Sequence, residues 1–316
     1  MNLIDKIDYI VKSYGISSYT IEKLRSVYKI FSKDKVIVIK KFNCKDKLFN
    51  TKKIINHLKS TNFKYSQNIC YNLNNEFYFE FDKKYYACFV WINGREVNVK
   101  NDKEIRKCIK TIYLFHENTK QIRDSTIKLN DTSNWVDNFN KDIFNLYNIK
   151  EILSKKISMS ELDEFYYENI DIAINRLRKL IENLSDSRIQ RYLHENKIIC
   201  HNSLYYQNFI LNKNKVYLID FGGICLNNKI YDISRFSKRI FYKNNFNFKL
   251  LDMIYNTCNS FYKFNSIEKN LFNCYLNYPY KFIKLGYRFY IQNKNIPKEI
   301  LLRKLEKYYK YEFNSY

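Results

Sequence analysis

Hydrophobic positions follow two rhythms along this chain, and the change between them divides it. β-branched and aromatic residues crowd 27–42 (VYKIFSKDKVIVIKKF), which predicts two strands joined by a turn at 32–35, and a further strand-like run, YYACFV, fills 85–90. Beyond it, apolar residues recur at three- and four-residue spacing over 105–116, 165–184 and 298–311, predicting helices. The opening residues, MNLIDKIDYIVKSYG, show the same spacing with acids early, and 49–58 predicts one more helix. Late in the chain, FILNKNKVYLID predicts a hairpin with strands at 209–211 and 215–219 around an Asn/Lys turn. The expected class is α+β, with a β-rich part to about Val90 and a mainly helical part after it.

The hairpin carries the candidate chemistry. Residues 198–221 read IICHNSLYYQNFILNKNKVYLIDF: a His, an Asn seven positions on, the hairpin, then Asp-Phe-Gly. This is the layout of a kinase-type catalytic loop. Asn208 offers an amide oxygen and Asp220 a carboxylate, the hard oxygen ligands that magnesium requires. The hairpin would bring them together, with His201 as an orienting residue packed beneath. Taken alone, a hairpin with a capping Asp and a solvated Asn is the plainer reading; the ordered set is what points to a nucleotide site. The position two after the His ordinarily holds an Asp that accepts the proton of the attacking hydroxyl. Here it is Ser203, which has no useful basicity near neutral pH. Phosphoryl transfer through a loose transition state asks little of a base, so residual activity is compatible with the change.

Upstream, Ile39-Lys40 ends a predicted strand where such a site would hold its phosphate-contacting lysine. Adjacent strand residues point to opposite faces, so Lys40 and Lys41 are competitors; Lys40 is preferred because it shares a face with Val36 and Val38. An extended lysine requires Lys40 within about 15 Å of Asp220. No glycine-rich loop precedes it, and the 49–58 helix has no glutamate to pair with it.

Several further runs, in order along nearly the whole chain, give the resemblance. Trp91-Ile92-Asn93-Gly94-Arg95-Glu96 follows the 85–90 strand, and the next helix ends near Leu114-Phe115-His116. Arg25 to Ile30, Ile199-Cys200-His201, Tyr231 to Phe236, and Tyr278-Pro279-Tyr280-Lys281-Phe282 with Tyr287 and Tyr290 complete the set. Together they resemble the spore-coat CotS family, in the aminoglycoside/choline phosphotransferase branch of the kinase superfamily. That resemblance implies a two-lobed protein-kinase-like fold of the aminoglycoside phosphotransferase type, with a β-rich lobe at 1–90 and a helical lobe at 91–316. It implies a nucleotide cleft with Lys40 and Trp91 as cofactor-binding residues, Asn208 and Asp220 as metal ligands, and ATP with magnesium as the cofactors such a site would take. The function it implies is that of a spore-coat-associated kinase-like protein, a pseudokinase or a structural coat component with residual nucleotide and magnesium binding; the alternative is an active ATP-dependent small-molecule phosphotransferase. Its partners would be other spore-coat proteins or acidic coat or cortex surfaces, and its location the cytoplasm of the sporulating cell and then the coat.

Composition narrows the picture further. The 316 residues carry a formal charge of +23 and include 30 Tyr and 24 Phe, which raises nucleic-acid binding as a question. The basic residues are spread along the chain without a clean run, and an AT-rich genome explains the Lys, Asn, Ile and Tyr excess. Nucleic acid is therefore not the expected partner. The eight cysteines (44, 70, 88, 108, 200, 225, 258 and 274) form no C-x-x-C pair, which argues against zinc, and a chain of this size does not need disulfides. No run approaches the roughly 18 apolar residues of a membrane span, and the amphipathic N-terminus is not a signal peptide.

Overall fold

The computed structural model describes residues 2–313 apart from 62, 121, 123 and 125. Residues 314–316, the end of the expected helical lobe, lie outside the described residues. Helix α1 (Leu3–Ser13) starts on Asn2, whose side chain accepts the Asp5 N–H while the Asp5 carboxylate accepts the Asn2 N–H. Five strands follow: β1 (Thr20–Leu24), β2 (Val27–Phe31), β3 (Val36–Phe42), then, after α2 (Lys45–Ser60), β4 (Tyr78–Phe81) and β5 (Lys84–Val90). They form an antiparallel sheet in the order β1-β2-β3-β5-β4. Ile7, Ile10 and Val11 of α1 bury against Ile30, Ile37, Ile39 and Tyr86 of that sheet. The alternation along β3 puts Ile37 and Ile39 into this core and leaves Val36, Val38 and Lys40 on the opposite face.

Past β5 come β6 (Arg95–Glu96), α3 (Asp102–Thr119), α4 (Trp135–Ser154), α5 (Glu161–Leu184) and α6 (Ser187–Glu195). The chain continues through β7 (Ile198–Cys200), β8 (Phe209–Asn212), β9 (Lys215–Leu218) and β10 (Cys225–Asn227) into α7 (Lys229–Lys243) and α8 (Phe248–Tyr262). It closes with α9 (Ser266–Asn277), α10 (Tyr280–Gly286) and α11 (Lys298–Phe313). Contacts gather these elements into two compact units, Met1–Asn130 with Ile198–Lys263, and Asp131–Lys197 with the chain from Phe264 onward. All ten strands belong to the first unit, and the 90/91 boundary expected between lobes falls inside it.

Within the first unit, β8 and β9 form the expected hairpin, and β6 adds to its edge through Arg95↔Leu211 and Glu96↔Ile210. Gly94 makes that pairing feasible, because a Cβ there would come within 2.4 Å of the Leu211 carbonyl oxygen. Arg95 then pairs with Glu104 in the first turn of α3, and the same carboxylate accepts the Asn98 N–H at 2.7 Å. The Trp91 to Glu96 run is thus a turn that ties β5 to the hairpin.

The second unit is helical and held by aromatic packing. The Tyr166 ring of α5 stacks on Phe282 of α10 at 4.4 Å, and its hydroxyl donates to the Phe282 carbonyl. Buried Asp163 accepts from Tyr290 at 3.0 Å and pairs with Lys156 at 2.7 Å. Among the C-terminal tyrosines singled out in the sequence, Tyr290 and Tyr278, which donates to Asp142 at 2.6 Å, are structural anchors. No described helix is long and apolar enough to cross a membrane.

Candidate nucleotide site

A cavity of about 390 Å³ lies within the first unit. Val27, Val38, Phe89, Ile210 and Ile219 give it an apolar lining, and Lys40, Asn208 and Asp220 supply charged and polar groups. An apolar slot with few convergent polar groups is the usual form of a small-ligand site. The β1–β2 turn contributes Leu24, Arg25 and Ser26 to its wall, with Arg25 held at φ 52°. Arg25 reaches Glu96 at 2.7 Å, so the turn is fastened to the other side of the opening without glycine.

Lys40 ion-pairs with Asp220 across 180 positions of sequence, well inside the expected reach. Its Nζ also sits 4.9 Å from the centre of the Phe42 ring. Lys41 is exposed on the opposite face of β3, so the geometry distinguishes the two lysines in favour of Lys40. Burial works to raise the Asp220 carboxyl, and the Lys40 ammonium overcomes it, holding the group below the usual carboxylate range. Helix α2 gives Lys40 no partner: its one acid, Asp46, is exposed in the first turn, and its buried polar residues, Asn50 and Thr51, bond to the carbonyls of Lys128 and Lys47. The lysine is therefore positioned by Asp220 itself.

Asn208 ends a short 3₁₀ turn and also lines the cavity. Its Nδ2 donates to the Ser203 carbonyl at 2.7 Å, which fixes the amide orientation; its Oδ1 accepts no hydrogen bond among the described residues. An oriented amide oxygen and a carboxylate lining the same cavity are a donor set that fits magnesium. Asp220 adopts a left-handed backbone at φ 68°, and Phe221 is fully buried, packing on His201 with centroids 5.1 Å apart. Trp91 stands in the cavity wall, and its backbone N–H donates to the Val36 carbonyl at 3.1 Å. One indole face carries the Lys29 ammonium 3.9 Å from the ring centre.

His201 is wholly buried behind this pair. Its Nε2 lies 3.1 Å from the Ile219 carbonyl and its Nδ1 accepts the Ser203 N–H at 3.3 Å, so the proton resides on Nε2. Burial drives the imidazole down to about 4 from its ordinary 6.5, against the pull of Asp232. The folded protein then binds that proton near pH 4, whereas the unfolded chain binds it near 6.5. Stability from this group is full above pH 6.5 and falls as pH drops, by about 3 kcal/mol at pH 4. Urea unfolding at stepped pH should show this loss, and His201→Asn should flatten the slope between pH 6.5 and 4 by about one proton.

The organiser of the loop is Asp232, in the first turn of α7, a residue the sequence shows only as part of the Tyr231 to Phe236 run. Its carboxylate accepts the His201 N–H at 2.6 Å and the Asn202 N–H at 2.8 Å, and it takes a third bond from His116 Nε2 at 3.1 Å. His116 Nδ1 in turn accepts from the Tyr262 hydroxyl at 2.8 Å. Burial pushes the Asp232 carboxyl up, and the His116 bond with its neighbours brings it below the usual range. Asn202 adopts φ 59° and donates through Nδ2 to the Gly223 carbonyl at 3.0 Å, tying the loop to the Asp-Phe-Gly turn. Cys200 lies close to His116 and Asp232, but burial keeps its thiol protonated, and it donates to the Asn228 carbonyl. This cluster is a hydrogen-bonded support for the loop.

Ser203 occupies the general-base position of the layout. Its N–H is held by His201, its carbonyl by Asn208, and its Oγ rests against Gly223, where a Cβ would come within 2.4 Å.

No protein-family model matches this chain, and no curated protein sequence matches it. Solved structures do. An aminoglycoside phosphotransferase from Alicyclobacillus acidocaldarius superposes with a TM-score of 0.81 at 15% identity, over 96% of this chain and 93% of that one. Spectinomycin phosphotransferase APH(9)-Ia, in complex with ADP and spectinomycin, gives 0.72 at 14%, over 97% and 94%. Choline kinase LicA from Streptococcus pneumoniae gives 0.61 at 16%, over the full length of both. The chain therefore has the α+β, protein-kinase-like fold of the aminoglycoside phosphotransferases and choline kinases.

Proposed function

We propose that this protein binds ATP with magnesium in the cavity between β3 and the β8–β9 hairpin, and transfers phosphoryl groups to free acceptors poorly because Ser203 stands in the general-base position. The observation that carries this is the convergence of Lys40, Asn208 and Asp220 on one apolar cavity, with Ser203 held in the adjoining loop. Magnesium, when bound, would neutralise charge on the phosphates; Asn208 Oδ1 and the Asp220 carboxylate would hold it. Lys40 would then contact the α- and β-phosphates, and Trp91 would wall the base. Likeness to a spectinomycin phosphotransferase that holds ADP favours the nucleotide part of this reading.

The test is thermal unfolding with ATP and magnesium. A ligand at a hundred times its dissociation constant adds about 2.7 kcal/mol. Asp220→Ala is expected to lose the magnesium-dependent part of that gain. Equal stabilisation of the variant and the native protein would show that the metal lies elsewhere.

The Trp91 to Glu96 run and its companions favour a biological role as a spore-coat component of CotS type, with other coat proteins or acidic coat or cortex surfaces as partners. The +23 charge is suited to such surfaces. A tagged chain expressed in a sporulating cell should appear first in the cytoplasm, then in the coat, and be released by salt. A second reading, an active small-molecule phosphotransferase, draws on the intact pairing of Lys40 with Asp220; rapid turnover of ATP by the unaltered protein would establish it.

A further inference from the structure

We infer that Ser203 is itself a phosphoryl acceptor, so that the protein phosphorylates its own catalytic loop once per chain. This rests on the nucleotide reading above. In kinase-type sites the residue at this position faces the hydroxyl that attacks the terminal phosphate. Here the position carries a hydroxyl of its own.

Three observations place that hydroxyl for the reaction. Ser203 Oγ makes no hydrogen bond among the described residues, while the Ser203 backbone is fixed on both sides, by His201 and by Asn208. It lies against Gly223, and the preceding Gly222 borders the ion pair: a Cβ on Gly222 would be 3.3 Å from Lys40 Nζ and 3.5 Å from Asp220 Oδ1. Since consecutive Cα atoms are 3.8 Å apart, this route bounds the separation of the Ser203 hydroxyl from the ion pair at about 13 Å. Were the first phosphates of ATP held by Lys40 and the metal ligands, the last would extend into this same neighbourhood. Gly223 itself presents no side chain to the hydroxyl.

The step balances without a further reactant. Ser203 Oγ forms a bond to the terminal phosphorus of ATP as the bond from that phosphorus to the bridging oxygen breaks, giving phosphoserine and ADP. The hydroxyl proton leaves to a phosphoryl oxygen and then to water. A loose transition state needs little help from a base, and an intramolecular acceptor has the advantage of proximity that a free one lacks. Phosphoserine at 203 would add a charge of about −1.5 to −2 beside the nucleotide site, so a second round should be resisted.

The full-length native chain would be incubated with magnesium and ATP labelled in its terminal phosphate, freed of nucleotide and mapped by peptide mass spectrometry. The expected result is label at Ser203, rising to one phosphoryl group per chain at a rate independent of protein concentration. Ser203→Ala and Asp220→Ala, each checked for folding by circular dichroism, should carry none. Label elsewhere, label that persists in Asp220→Ala, or a rate that rises with protein concentration would each overturn the inference. An unlabelled native protein that ATP and magnesium still stabilise would overturn it while leaving nucleotide binding standing. A protein that ATP does not stabilise would remove both.

Discussion

Replacing Ser203 with Asp should raise ATP-dependent phosphoryl transfer by about 10²- to 10⁴-fold, the range that general-base assistance supplies. The change restores a carboxylate to a loop whose other parts are in place. His201 is buried in a single tautomer, Asn208 is oriented by the Ser203 carbonyl, and Asp220 is held in its charged form by Lys40. Gly223, with no Cβ, is the neighbour the new carboxylate would pack against. Turnover would be followed as ADP release, with water or an added alcohol as acceptor, in Ser203→Asp and native protein side by side. A variant that binds ATP and magnesium but turns over no faster than native would show that this loop has departed from catalysis by more than one residue.

Asp232→Ala is the substitution expected to cost most stability. One buried carboxylate accepts two backbone N–H groups and a histidine, and removing it orphans all three donors. Stranding buried partners in this way costs about 3–5 kcal/mol, against the roughly 5–15 kcal/mol that holds a typical domain folded. The loss should appear as a lower urea midpoint with an unchanged slope. Asp171→Ala is the control, since its pair with Lys150 lies on the surface and should contribute less than about 1 kcal/mol.

The candidate site was more legible in the sequence than the scaffold beneath it. The hairpin expected at 209–211 and 215–219 is observed at Phe209–Asn212 and Lys215–Leu218, because its apolar runs and Asn/Lys turn are local signals. Lys40 could be preferred over Lys41 from strand alternation, and contact with Asp220 agrees. Strand β1 escaped notice: its sequence, TIEKL, is polar and mostly exposed, and only pairing with β2 makes it a strand. The 49–58 helix begins earlier than its apolar residues suggest, at Lys45, since its first turn is polar and Cys44 gives no side-chain cap. Helix α4 was missed too, its stripe diluted by Asn and Asp. The roles of Asp232 and His116 could not be read, because they depend on three segments meeting that lie far apart in the chain.

If the proposed nucleotide reading holds, the pairing of Lys40 with Asp220 would make ligand entry an exchange of counter-ions. Before any ligand arrives, the carboxylate that would take a divalent cation is already neutralised by an ammonium of the same chain. In the proposed complex Asp220 would exchange that ammonium for a divalent cation, and Lys40 would turn to the phosphates. Little net charge is transferred between protein and solvent in such a swap, so little salt is released or taken up. The affinity for the magnesium–nucleotide complex should therefore vary weakly with ionic strength, even in a chain of formal charge +23, whereas adhesion to an acidic surface should fall steeply with added salt. Titrations at low and high salt would separate what the cavity binds from what the surface does.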